Sequence, residues 1–182
     1  MTAVLGSLVR RLAIVLAFAV GSATAQAQGI SESAYALNLG FVDDHGATRA
    51  LAEWRGHPVV MTLAYGACRS VCSSTLRSLE ELQAAADRKG IAIDVVVVSI
   101  DPQSDTPQAW AQFRKSRRLT RANWTFLSGS AESTRTMARF LGVRFWSYDE
   151  HVMHDFKIVR LAPDGGIAAS LDWQHREVER LL

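Results

Sequence analysis

Residues 59–81 read VVMTLAYGACRSVCSSTLRSLEE, and no other stretch narrows the accessible folds as far. An apolar, β-prone run over 59–65 ends in a turn at Gly66-Ala67. Cys68 and Cys72 follow, and leucines then recur at helical spacing. The pattern predicts a buried strand that delivers two thiols to the start of a helix. Helix starts carry unpaired N–H groups and the positive end of the helix dipole, so they favour thiolate over thiol. A thiolate is both a nucleophile and a metal ligand. Cys68 and Cys72 are the only two cysteines of the chain, so the chemistry at this place is redox exchange or soft-metal binding.

Composition bounds the setting. A hydrophobic fraction of 48% over 182 residues is enough for one real core, so the cysteines are not needed as a staple. The net charge of +2 is too small to argue for a nucleic-acid partner. Arg114, Lys115, Arg117, Arg118 and Arg121 form a local basic cluster, expected as a solvated helix end. At the N-terminus Arg10-Arg11 precede an apolar run over 12–20 and then small residues through Ala27. That pattern is a secretory signal peptide, cleaved after Ala25 or Ala27. The apolar run is short for a permanent span, though left uncleaved it would anchor the chain to the inner membrane. We therefore expect a signal peptide at 1–27, a flexible leader at 28–36 and one domain at 37–182, located in the periplasm. Export places both thiols in an oxidising compartment.

The mature chain alternates strand and helix. Residues 37–42 and 47–51 flank the turn Asp43-Asp44-His45-Gly46 as an N-terminal β-hairpin. After Cys72, Ser73-Ser74-Thr75 offer capping hydroxyls, Leu76, Leu79, Leu82 and Ala86 mark a helix, and Gly90 stops it. Residues 91–99 (IAIDVVVVS) read as a strand buried on both faces. Asp105-Thr106-Pro107 starts a second helix with Trp110 and Phe113 inward, residues 124–127 form a strand, and Ser130 caps a third helix closed by Gly142. Strands at 156–161 and 167–171 flank the turn Pro163-Asp164-Gly165-Gly166, and a short helix closes the chain at 174–182. The predicted class is α/β, a thioredoxin-like fold with a central mixed β-sheet flanked by helices and an N-terminal β-hairpin. His45 and His57 lie in polar turns and are expected at the surface.

Three residues separate Cys68 from Cys72. On a helical turn, i and i+4 share a face, which suits two thiolates on one ion, and a disulfide is equally feasible. Spacing alone leaves both readings open. His151 and His154 come just before the strand at 156–161. In thioredoxin-like folds the loop entering that strand faces the cysteine-bearing helix, and redox members place a cis-proline there. The prolines here are Pro58, Pro102, Pro107 and Pro163, so that loop offers imidazole instead. Cys68, Cys72 and His154 make a soft ligand set suited to Cu(I), and a fourth ligand would admit Cu(II). His151 is expected at the surface. The rival reading is a thiol–disulfide oxidoreductase in which Cys68 attacks and Cys72 resolves. A peroxidase would want threonine where Tyr65 stands, and a structural zinc site is superfluous in a chain with this core.

The motifs Tyr65-Gly-Ala-Cys68-Arg-Ser-Val-Cys72 and Val98-Ser-Ile-Asp101-Pro-Gln-Ser-Asp105-Thr-Pro107, with His154 eleven residues before Gly165, carry a resemblance. Over about residues 35–180 the chain resembles the Sco/SenC family of thioredoxin-like copper proteins. The resemblance implies copper ligands at Cys68, Cys72 and His154. It also implies a metallochaperone that delivers copper to the CuA centre of cytochrome c oxidase or reduces the thiols of that centre. The implied partners are the CuA-bearing oxidase subunit or another periplasmic copper protein, together with a thiol reductant. Ser73 stands where the family usually has proline, and Arg69 and Ser70 stand where an acidic residue is frequent.

Overall fold

The computed structural model describes residues 32–67, 71–149 and 151–182. The signal peptide expected at 1–27 lies outside them. Among the described residues no helix is long and apolar enough to cross a membrane.

The core grows from two strands whose side chains are apolar on both faces. β3 (Val59–Ala64) is buried at every position, and β4 (Asp94–Ser99) is buried from Val95 onward. Such runs are stable only at the centre of a covered sheet. β3 and β4 pair in parallel, β4 pairs in parallel with β5 (Trp124–Gly129), and β3 pairs antiparallel with β8 (Ile158–Leu161). β9 (Ile167–Leu171) extends one side, and β1 (Gly40–Asp43) with β2 (Thr48–Ala50) extends the other. The seven-stranded mixed sheet runs β2-β1-β5-β4-β3-β8-β9. The N-terminal hairpin is thus an edge of the main sheet.

α1 (Val71–Lys89) links β3 to β4, α2 (Pro107–Arg117) links β4 to β5, and α3 (Ala131–Leu141) follows β5. Trp124 Nε1 donates to Gln83 of α1, and Phe126, two residues on, packs on Trp110 of α2. Alternation along β5 therefore puts α1 and α2 on one face. The caps match the expected chemistry: the Thr106 and Ser130 hydroxyls accept from the backbones of Ala109 and Ser133, and Gly142 ends α3 in the left-handed region. Arg114 departs from its expected role in a solvated cluster. It is mostly buried, with Nη1 on Asp44 at 2.6 Å and its other nitrogens on the carbonyls of Leu119 and Arg121, so it pins the end of α2 to the β1–β2 turn.

Four sequence expectations need correction. First, part of the flexible leader expected at 28–36 is packed structure. Residues Ala34–Ala36 form a 3-10 turn, Ala34 N–H donates to Gly165 C=O, and the Tyr35 hydroxyl donates to Trp54 C=O. Second, the C-terminal helix is a 3-10 turn, Val178–Leu181, whose buried Val178 and Leu181 eclipse at that helix's three-residue period. Third, Cys72 stands in the first turn of α1, and the Thr75 hydroxyl bonds back to Val71 C=O and does not cap the helix.

The fourth correction matters most for the site. A separate two-stranded ribbon, β6 (Phe145–Tyr148) with β7 (His151–His154), stands where a plain loop was expected. It escaped sequence reading because its outer face carries aromatics, so it lacks an apolar-in, polar-out alternation.

Gly165 joins the two ends of the domain. Its φ is +91°, and a methyl group there would lie 2.5 Å from Ser33 Oγ and 2.6 Å from the Tyr35 ring. Gly165→Ala is expected to destabilise the fold by about 1–3 kcal/mol through backbone strain alone, with the clash adding to it. Gly40→Ala, where nothing lies within 4 Å, should change stability by less than about 0.5 kcal/mol. Urea denaturation of the two variants checks this.

Candidate metal centre

The candidate site lies at the C-terminal edge of the parallel strands, where β3 and β4 open towards α1 and the β6–β7 ribbon. β3 ends at Ala64, Tyr65 and Gly66 turn the chain, and α1 begins at Val71. Cys68 lies between them, outside the described residues, as does its neighbour Arg69. Cys72 is the second residue of α1, and its side chain is 3% exposed. It therefore sits at the positive end of a 19-residue helix.

His154 is delivered by the β6–β7 ribbon. It is the last residue of β7, 5% exposed, with Nε2 3.4 Å from Cys72 Sγ. The opposite ring nitrogen, Nδ1, is 2.9 Å from the backbone oxygen of Asp155. A carbonyl can only accept, so Nδ1 carries the proton and donates. In the neutral ring this makes Nε2 the acceptor nitrogen, and it is aimed at the sulfur. A buried soft sulfur and an imidazole nitrogen 3.4 Å apart are close enough to share one ion. Tyr65 packs edge-on against the imidazole, with ring centroids 6.1 Å apart.

The carbonyl that orients His154 is itself fixed. Arg144 and Asp155 close the base of the ribbon: Arg144 Nε lies 2.9 Å from Asp155 Oδ2, Asp155 N–H donates to Arg144 C=O, and Arg144 N–H donates to Asp155 Oδ2. That guanidinium holds the Asp155 carboxyl below its ordinary range. Two residues on, the Thr62 hydroxyl of β3 donates to Lys157 C=O at 2.7 Å and ties this segment to the central sheet.

Asp105 is a residue whose role the sequence did not disclose. It was expected at the start of α2, yet Thr106 makes that cap and Asp105 is buried beneath the cysteine loop. Its Oδ1 accepts from Gly66 N–H at 2.9 Å, its Oδ2 accepts from the Ser99 hydroxyl at 2.6 Å, and its carbonyl accepts from Ser128 Oγ. A methyl group on Gly66 would lie 3.1 Å from Oδ1, so the glycine lets the carboxyl hold the backbone two residues before Cys68. The available signal was its recurrence in the Ser99-Ile-Asp-Pro-Gln-Ser-Asp105-Thr-Pro motif.

The remaining predicted candidates separate cleanly. His151 is exposed on β7 and is not brought to Cys72. His45 and His57 are exposed, each near an aspartate. Among the described residues no group of three His, Cys, Asp or Glu side chains could hold a metal ion. They do bring Cys72 and His154 together.

Burial pushes the Asp105 carboxyl up to about 6, against the lowering hydrogen bonds from Ser99 and Gly66, and Asp101 adds a like charge. A raised carboxyl pKa stabilises the fold below the unfolded value near 4 and loses that contribution as pH rises through about 6. Stability should therefore fall across that window by up to about 3 kcal/mol. Asp105→Asn, which keeps an acceptor for Gly66, should show a flat profile there. Urea midpoints between pH 4 and 7 check the difference.

Comparison with known proteins places these observations in a context. A family model described as SCO1/SenC matches residues 28–181. The SCO1 protein homolog of Bacillus subtilis (strain 168) is 22% identical over 125 residues, which cover 69% of this chain and 58% of that protein. The chain thus spans little more than half the length of that relative. Arabidopsis thaliana ScoI, solved with copper bound, superposes with a TM-score of 0.68 at 20% identity, covering 79% of this chain and 90% of that one. BsSco, described as having a disulfide switch and as a member of the Sco family of cytochrome c oxidase assembly proteins, superposes at 0.64 with 20% identity, covering 73% and 80%. At these identities the superpositions establish the fold.

Proposed function

The chain belongs to the SCO1/SenC family, and from that premise we propose that it is a periplasmic copper chaperone. It binds copper through Cys68, Cys72 and His154 and passes it to the CuA-bearing subunit of cytochrome c oxidase or to another periplasmic copper protein. The observation that carries this reading is the buried pairing of Cys72 Sγ with His154 Nε2 at 3.4 Å, in the tautomer that makes Nε2 the lone-pair nitrogen. Thiolate and imidazole are soft and borderline donors, and a set of two sulfurs and one nitrogen suits three-coordinate Cu(I). The copper-bound ScoI relative supports the same cargo.

The chain's own residues divide the work. The helix start favours the thiolate form of Cys72, and its burial keeps water from competing with the ion for the sulfur. The Asp155 carbonyl orients His154, and Asp105 holds the backbone entering the cysteine loop. Release to an acceptor is a ligand exchange in which the partner's donors replace these in turn.

A second reading, disulfide exchange through Cys68 and Cys72 with a thiol reductant as partner, is favoured by the disulfide switch described for BsSco. Burial of Cys72 suits it to the resolving role. The two readings part at His154. Disulfide exchange needs only the sulfurs, whereas copper retention needs the imidazole.

Anaerobic titration of the reduced protein should give one Cu(I) per chain, and Cys68→Ser or Cys72→Ser should abolish tight binding. Loss of an outer-shell partner alone costs about 10–100-fold in metal affinity. His154→Ala should cost more than that, while leaving the cysteine pair oxidisable. If both cysteine variants keep stoichiometric Cu(I) at wild-type affinity, the site is elsewhere. If His154→Ala supports normal oxidase assembly under copper limitation while a cysteine variant fails, the reductase reading replaces the chaperone reading.

A further inference from the structure

The sequence His151-Val-Met-His154 runs along β7, and the ribbon's register sorts these side chains onto two faces. Phe145 pairs with His154, Trp146 with Met153, Ser147 with Val152, and Tyr148 with His151. Alternation puts His154 and Val152 on the inner face with Phe145, and His151 and Met153 on the outer face with Trp146 and Tyr148. Burial agrees: against 5% for His154, Met153 is 40% exposed, Trp146 50% and Tyr148 69%. The outer face thus presents a thioether, an imidazole and two aromatic rings to solvent, directly behind the strand that carries His154.

We propose that this outer face is a second, weaker Cu(I) site, held by the His151 imidazole and the Met153 thioether beside the Trp146 ring, from which the ion passes to the inner site. The proposal rests on the copper reading above and adds the route by which the ion enters.

Residues two apart on a strand lie about 6.5–7 Å apart at Cα, within the span over which two long side chains converge on one ion. A thioether selects Cu(I) over harder ions, and imidazole accepts it as well. The indole of Trp146, opposite Met153, adds a sulfur–aromatic contact and a π face for a cation. A site with no thiolate holds Cu(I) less tightly than one with two, so the transfer runs downhill towards the cysteines. His154 is the next residue in the chain after Met153, on the opposite face. The hand-off is a ligand exchange: bonds to His151 and Met153 break as bonds to His154 and the cysteine sulfurs form, and copper stays Cu(I) throughout. A protein-docking face would explain the exposed rings but has no need of a thioether and an imidazole on one strand face.

The test uses the mature chain carrying Cys68→Ser and Cys72→Ser, titrated anaerobically with Ag(I), a redox-inert mimic of Cu(I), while tryptophan emission is followed. Ag(I) should bind and quench. Met153→Leu or His151→Ala added to that background should abolish the binding, and Trp146→Phe should remove the quenching while binding remains. Absence of Ag(I) binding, or binding unchanged in the Met153→Leu, His151→Ala double variant, overturns the proposal and leaves the face to a protein partner. A second measurement keeps both cysteines. Met153→Leu should retain the one tightly bound Cu(I) of the inner site at equilibrium but load it several-fold more slowly in stopped flow, and an unchanged loading rate contradicts the entry route. Failure of the inner site would show as loss of tight binding in the cysteine-intact protein, a result independent of the Ag(I) titration.

Discussion

The hydrogen bond from His154 Nδ1 to the Asp155 carbonyl decides which ring nitrogen is left to act, and the geometry of the site depends on it. With the proton committed to Nδ1, Nε2 faces Cys72 Sγ as a lone-pair donor inside a water-poor setting. Reversing the tautomer would point an N–H at the sulfur and leave no donor for a metal. The fold protects this choice at two further levels. The Arg144–Asp155 pair fixes the carbonyl, and the Thr62 bond to Lys157 ties the segment to β3. Orientation of a ligand by the group behind it is a general requirement of metal sites. Here it is met by the Asp155 backbone carbonyl and by ribbon closure.

The same logic governs the other side of the site. β3 brings the chain to Gly66 at the carboxyl edge of the parallel strands, and Asp105, arriving from the end of β4, catches the Gly66 amide. The cost is a buried carboxyl that prefers its proton up to about pH 6. Three segments far apart in sequence, at residues 62–67, 99–105 and 154–157, therefore converge on one edge, each held by a hydrogen bond to the next. An edge built in this way keeps its donors positioned whether or not an ion is bound, so less ordering is needed at the moment of binding.

Much of this was legible in the chain. The continuous apolar runs of β3 and β4, the Thr106-Pro107 and Ser130 caps and the Gly142 stop each specify their element locally, and the structure agrees with them. The convergence of Cys72 with His154 was legible through the thioredoxin-like order of elements. What the sequence hid was set by tertiary context. The β6–β7 ribbon carries its aromatics outward, Asp105 looks like a helix-start residue until its burial is seen, and Ala34 with Tyr35 are held by Gly165, which lies far along the chain. In each case the deciding partner is more than a few residues away, where periodicity and capping rules have no reach.

The central claim is that an imidazole, held in one tautomer, completes a thiolate site for copper. X-ray absorption at the copper edge of the Cu(I)-loaded protein tests it most directly. The account predicts a first shell of two sulfurs and one nitrogen with the multiple-scattering pattern of an imidazole ring, and loss of that pattern in His154→Ala. A sulfur-only shell, or an imidazole pattern that survives His154→Ala, would contradict it.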